Sequence, residues 1–211
     1  MAPGALRIGI VGLTITGLIG FFFVLVRGWA LLPLGLLGIL LIVFYTGWIT
    51  RWPLVSLIVT GLGFGLIMVM GSYYVLTGEY TATALFASLA PFFLGNCLLL
   101  LNQFPDVEAD QSVGRRNLPI VIGRQSSSIV YGIFLLAAYL SIVIGVWLGY
   151  MPLAALLGLL LLPLALATVL GVYRYAQDLP NLMKYMGFNV LFNIITPVLM
   201  AIGFFLAAWM G

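Results

Sequence analysis

The sequence has no histidine, one cysteine and only thirteen charged residues among its 211. Each scarcity excludes something. Without histidine there is no His-ligated zinc site, no HExxH protease, no His-based triad and no His-ligated haem. Cys97 stands alone inside an apolar run, so no disulfide framework exists. A soluble domain carries roughly a quarter charged residues, whereas this chain has 6% and cannot cover a water-facing surface. A soluble enzyme, a disordered chain and a nucleic-acid binder are thereby excluded. The formal net charge of +3 is no polyanion signal on such a background, because where the charges sit matters more than their sum.

What the chain does contain is apolar sequence, 64% of it. Since a spanning helix needs about 20 apolar residues, the length accommodates seven spans with short loops. Apolar runs bounded by charge, Pro and Gly fall at about 8–26, 30–46, 54–76, 82–102, 128–148, 153–173 and 188–210. The first run is too long for the apolar core of a signal peptide and lacks a small-residue cleavage site, so it reads as a helix. The expected fold is an all-α, polytopic transmembrane helix bundle, one domain over 1–211 with a cytoplasmic motif loop at 103–127.

Charge placement gives an orientation. The N-terminus and the loops at 47–53, 103–127 and 174–187 share one side and hold seven of the eight basic residues: Arg7, Arg51, Arg115, Arg116, Arg124, Arg174 and Lys184. Only Arg27 lies opposite. The positive-inside rule places the N-terminus in the cytoplasm and the C-terminus outside a cell membrane. Tryptophans and tyrosines near the ends of the runs read as interfacial anchors. Gly12, Thr16 and Gly20, and separately Gly61 and Gly65, have the spacing that lets helix backbones approach in lipid. No ionisable residue falls in the middle of a span, which disfavours proton-coupled transporters, retinal proteins and voltage sensors.

One loop concentrates chemistry. From Asn102 to Arg124 the sequence reads NQFPDVEADQSVGRRNLPIVIGR, with three of the five acids and three of the eight bases. Asn102, Asp106 and Asp110 recur every four residues and would form one stripe on a helix, with Glu108 turned away. Pro105 suits the first turn of a new helix or a kink. Two carboxylates about 6 Å apart repel by roughly 3 kcal/mol at an effective dielectric near 20. A hard divalent cation such as Mg²⁺ relieves that repulsion, keeps waters and bridges to phosphate oxygens. Arg115 and Arg116 match phosphate in charge and fork geometry. The pattern suits a metal-bridged diphosphate on an apolar tail. It equally suits a solvated loop whose acids cap helices and whose arginines set topology. One of Ser126, Ser127 and Ser128 is expected to N-cap the following span.

This segment resembles the second aspartate-rich motif of the UbiA superfamily of intramembrane aromatic prenyltransferases. It most resembles the 1,4-dihydroxy-2-naphthoate (menaquinone-type) branch, through Asn102, PDVEAD at 105–110, Gly114-Arg115-Arg116 and NLPIVIG at 117–123. Tyr45-Thr46, GLGFG at 61–65 and Gly71-Ser72-Tyr73-Tyr74 extend the resemblance along most of the chain. The resemblance implies a Mg²⁺-dependent prenyltransferase with Asp106 and Asp110 as catalytic metal ligands, supported by Asn102. Arg115 and Arg116 would bind diphosphate, and Tyr45, Arg51 and Lys184 lie on the side where the entrance would be. The implied partners are a polyprenyl diphosphate, an aromatic quinone precursor and the lipid bilayer.

Relative to that family pattern there are departures. The fold implied has nine spans and two acidic motifs; this chain aligns as spans three to nine, and nothing in residues 1–10 replaces the first motif. N-terminal incompleteness, and a missing two-span segment as partner, are therefore expected, with little activity of the chain alone. Phe64 stands where the naphthoate branch usually has an acid. The alternative is a non-catalytic, degenerate homologue that binds lipid or quinone or packs against a partner. A small facilitator would need polar faces along several spans, and none is evident.

Overall fold

The computed structural model describes residues 3–45 and 47–210, Pro3 by its backbone alone; Thr46, part of the resemblance above, lies outside the described residues. The architecture is all-helical, with no strand among the described residues. In chain order the helices are α1 (Pro3–Arg27), α2 (Leu32–Tyr45, preceded by a 3₁₀ turn), α3 (Pro53–Thr77), α4 (Ala82–Asn102), the short α5 (Val107–Ser112), α6 (Leu118–Trp147), α7 (Leu153–Arg174) and α8 (Leu179–Met210). Six of them are long and apolar enough to cross a membrane. The remaining apolar stretch, Trp29–Tyr45, is shorter than a standard span: 17 residues at 1.5 Å each reach only about 25 Å. The chain is thus a multi-pass membrane protein whose second expected span is a short helix.

The core is organised around α4, which packs on α3, α6 and α8. One continuous buried cluster joins Leu57 of α3, Leu94 and Leu101 of α4, Tyr131 and Ile142 of α6, Ala165 of α7 and Phe192 of α8. Hydrocarbon leaves polar groups no water to bond, so buried side chains find one another. The Tyr131 hydroxyl donates to Asn189 Oδ1 at 3.2 Å, and Asn189 Nδ2 reaches the Cys97 carbonyl at 3.4 Å, tying α4, α6 and α8 in one register. Tyr139 and Thr196 pair their hydroxyls 3.3 Å apart one layer further along.

Glycine decides the α3–α4 contact. Residues Leu62–Ile67 of α3 form a π-helical segment inside the span. A Cβ at Gly65 would stand 2.5 Å from the backbone of Phe92, and one at Gly61 would collide with Asn96. Close approach here is what the Gly61/Gly65 spacing predicts. The Gly12 and Gly20 stripe behaves differently: nothing lies within 4 Å of a Cβ at either position. Helix α1 joins the remainder near its end, where Val24, Leu31 and Tyr74 form a small separate cluster.

Two helix starts differ from those expected. Helix α6 begins at Leu118 and not at 128, because Asn117 Oδ1 accepts the Ile120 N–H at 3.0 Å and caps it. Ser127 and Ser128 are buried within the helix, and Ser128 Oγ donates back to the Gln125 carbonyl. Gly123, with φ 81 and ψ 155, breaks α6 after its first turn and a half. Helix α8 likewise begins at Leu179, where Asp178 accepts from the Asn181 side chain at 2.6 Å; Lys184 lies inside this helix and not in a loop.

The ends sort into two groups. Gln125 donates to the Tyr173 carbonyl at 3.1 Å, and the segments around 51 and 115 line a common cavity. At the other end Tyr74 and Tyr80 donate to the carbonyls of Arg27 and Ala30, and Phe86 stacks on Tyr150. The three loops rich in basic residues therefore share one end of the bundle.

Candidate functional site

Pro105 stops α4 from running on, since it has no N–H and its ring clashes with the preceding turn. The chain makes turns through Phe104–Asp106 and restarts as α5. The four-residue rhythm survives the break: the Asp110 N–H donates to the Asp106 carbonyl at 2.8 Å. Asn102, Asp106 and Asp110 consequently face the same space although no single helix carries them. That space is a cavity of about 490 Å³ whose wall includes these three residues, Arg115, Arg116 and, from the opposite side, Tyr45 and Arg51.

Two helix starts border it. Ser56 lies in the first turn of α3 and Asn117 caps α6, and both line the cavity. Unsatisfied N–H groups and the helix dipole make such starts favourable to anions. The α5 loop is braced from outside by Arg124, which donates to the Phe104 carbonyl at 2.9 Å and to both Glu108 oxygens at 2.9 and 2.8 Å. Glu108 thus points away from the cavity, as the stripe requires. Hydrogen bonding to its own backbone N–H, and then Arg124, holds the Glu108 carboxyl below its ordinary value. Asp110 is gripped on both oxygens, by Arg115 Nη1 at 3.1 Å and by Asn117 Nδ2 at 2.9 Å. Among the described residues Asp106, Arg51 and Arg116 have no side-chain partner.

Lys184 is not brought to this cavity; its ammonium lies 5.6 Å from the Phe188 ring centre and faces outward. Several polar lining groups escape sequence reasoning as site residues, among them Thr50, Ser56, Gln103 and Asn117. Gln103 is the informative one, because its Oε1 is buried with no hydrogen-bond partner. A buried acceptor left unpaired costs about 1–3 kcal/mol unless something donates to it. No periodicity marks Gln103, so only the three-dimensional arrangement reveals it.

The donor set suits a hard cation. Asp106 and Asp110 bring carboxylate oxygens to one cavity, whereas Gln103 lines it with its Oε1 enclosed. Among the described residues no group of three or more His, Cys, Asp or Glu assembles a cage made of protein ligands alone. Mg²⁺ does not require one, since it keeps waters and takes one or two carboxylates together with substrate phosphates.

The UbiA prenyltransferase family model matches residues 5–193, nearly the whole chain and all of the cavity. The chain belongs to the UbiA prenyltransferase family. Comparison with curated proteins and with solved structures yields no match. Membership agrees with the resemblance carried by the Asn102–Gly123 segment. It makes the cavity at the end of α4 the natural place to look for prenyl-transfer chemistry in this UbiA-family chain.

Proposed function

We propose that this UbiA-family chain transfers a polyprenyl group from its diphosphate to an aromatic quinone precursor, of the naphthoate type by resemblance. The observation that carries this reading is the convergence of Asn102, Asp106, Asp110, Arg115 and Arg116 on one cavity at the end of an apolar bundle. Asp106 and Asp110 would hold Mg²⁺, which when bound supplies positive charge to the diphosphate. Arg116 donates to the phosphate oxygens, and Arg115 joins it on leaving Asp110. Leu99 marks the apolar side of the cavity, where the prenyl chain continues among the helices.

In the reaction the allylic C–O bond breaks and its electron pair leaves with the diphosphate. The electron-rich ring carbon forms the new C–C bond, and rearomatisation releases the ring proton. Guanidinium groups positioned beforehand stabilise charge as it builds on the leaving oxygens. Apolar walls exclude water, which would otherwise capture the allylic cation. The basic end of the bundle faces the cytoplasm in this reading. Retention of the charged stripe and its bracing gives no support to the non-catalytic alternative.

Metal dependence tests the proposal. Mg²⁺ should raise affinity for a polyprenyl diphosphate, and Asp106→Asn or Asp110→Asn should remove that enhancement. Unchanged Mg²⁺ dependence in both variants would leave the loop a topological feature only.

A further inference from the structure

Beside the carboxylate-lined cavity lies a second one, also about 490 Å³, bordered by Trp48, Arg51, Trp52, Pro53, Arg116 and Val121. It contains no acid. Arg51 and Arg116 border both cavities and so form the partition between them. Neither guanidinium has an ion-pair or hydrogen-bond partner among the described residues. Two free cations on one wall repel each other, and an anion carrying more than one negative oxygen relieves them. The remaining wall is of opposite character: Trp48 and Trp52 are more than half exposed, and Val121 is exposed beside them. Indole rings of this kind sit where bilayer meets water and take apolar chain on one side and polar headgroup on the other. Pro53 opens α3, adding a helix start that favours negative charge.

We propose that this second cavity is a loading site for the diphosphate head of the prenyl donor, occupied before transfer to the carboxylate-lined cavity. The inference rests on the donor assigned under the proposed function, and it adds a site and an order of events. A phosphate on an apolar tail describes both a prenyl diphosphate and an anionic phospholipid. The shared arginines favour the former, because a structural lipid has no need of a wall in common with the reactive cavity. Binding here requires no metal, since the cavity brings cations and no carboxylate.

Equilibrium binding of tritiated farnesyl diphosphate to the full chain in phosphatidylcholine nanodiscs, with EDTA present, tests this. Metal-free binding should weaken about tenfold in Arg51→Gln and in the double variant Trp48→Ala/Trp52→Ala. Trp209→Ala, at an 81% exposed residue at the opposite end of the bundle, is the control for loss of an interfacial ring. Equal metal-free binding in wild type and both loading-site variants would overturn the proposal. So would loss of metal-free binding when phosphatidylglycerol replaces a fifth of the lipid, which would make the cavity a phospholipid site. Failure of the underlying reading looks different: wild type would then show no Mg²⁺-enhanced binding at all.

Discussion

Arg115 Nη1 stands 3.1 Å from Asp110 Oδ1, so a carboxylate proposed to hold metal is already held by a cation. The Arg115 side chain is 72% exposed and the Asp110 side chain only 18%. Such a pair is worth about 0.2–1 kcal/mol, weak enough for a ligand to displace. If Asp110 holds Mg²⁺ as proposed, Arg115 would compete with the metal for that carboxylate and would turn to the phosphate once diphosphate binds.

Arg115→Ala should therefore tighten Mg²⁺ binding about two- to fivefold without diphosphate, while weakening diphosphate binding in its presence. Calorimetric titration in both orders measures the two effects; a variant that weakens Mg²⁺ as well contradicts the competition.

The brace of the α5 loop gives a second prediction. The Arg124 side chain is 12% exposed and donates to the Phe104 carbonyl as well as to Glu108. Arg124→Met should cost about 1.5–3 kcal/mol through the charged hydrogen bond to that carbonyl, visible as a lower Tm in detergent. Glu108 has its carboxyl value lowered in the folded chain. Its contribution is therefore present above the ordinary carboxylate range and lost as pH falls through the depressed value. Hydrogen exchange over 103–112, corrected for intrinsic rate, should rise at that acid end in wild type and show no such step in Glu108→Gln.

Packing between α3 and α4 allows a paired comparison. Gly65→Ala places a methyl group against the Phe92 backbone, which should cost about 1–3 kcal/mol by overpacking. Gly12→Ala meets open space and should leave stability unchanged or slightly raised. Thermal unfolding of the two variants in one detergent distinguishes them, and equal Tm values would contradict the α3–α4 contact.

Sidedness can be read with single cysteines, since Cys97 is buried and gives no background. Ser112→Cys and Glu79→Cys, both at exposed positions at opposite ends of the bundle, should react with an impermeant maleimide from opposite faces. Position 112 should label from the cytoplasm. Labelling of both from one face would invalidate the topology.

Six of the seven expected spans were legible because runs of about twenty apolar residues have no other stable home. The stripe of Asn102, Asp106 and Asp110 was legible too, since hydrogen bonding from Asp110 to Asp106 preserves the helical repeat beyond Pro105. The early starts of α6 and α8 were harder. Both were signalled locally, by Asn117-Leu118-Pro119 and Asp178-Leu179-Pro180, where a capping side chain precedes a proline suited to the first turn. A search for apolar runs passes over such caps. Gln103 was out of reach, because an unpaired acceptor is a property of surroundings assembled from several helices.

The break at Gly123 has a mechanical consequence. Beyond that break α6 runs unbroken from 124 to 147, about 36 Å of rise, longer than a hydrocarbon layer of about 30 Å. A helix that long adjusts to bilayer thickness by tilting. The pivot lies at Gly123, with Asn117 gripping Asp110 on one side of it and Arg124 holding Phe104 and Glu108 immediately on the other. Points next to a pivot move least. Thinning or thickening of the membrane should therefore swing the far end of α6 more than the carboxylates, which would insulate the site from the lipid composition around it.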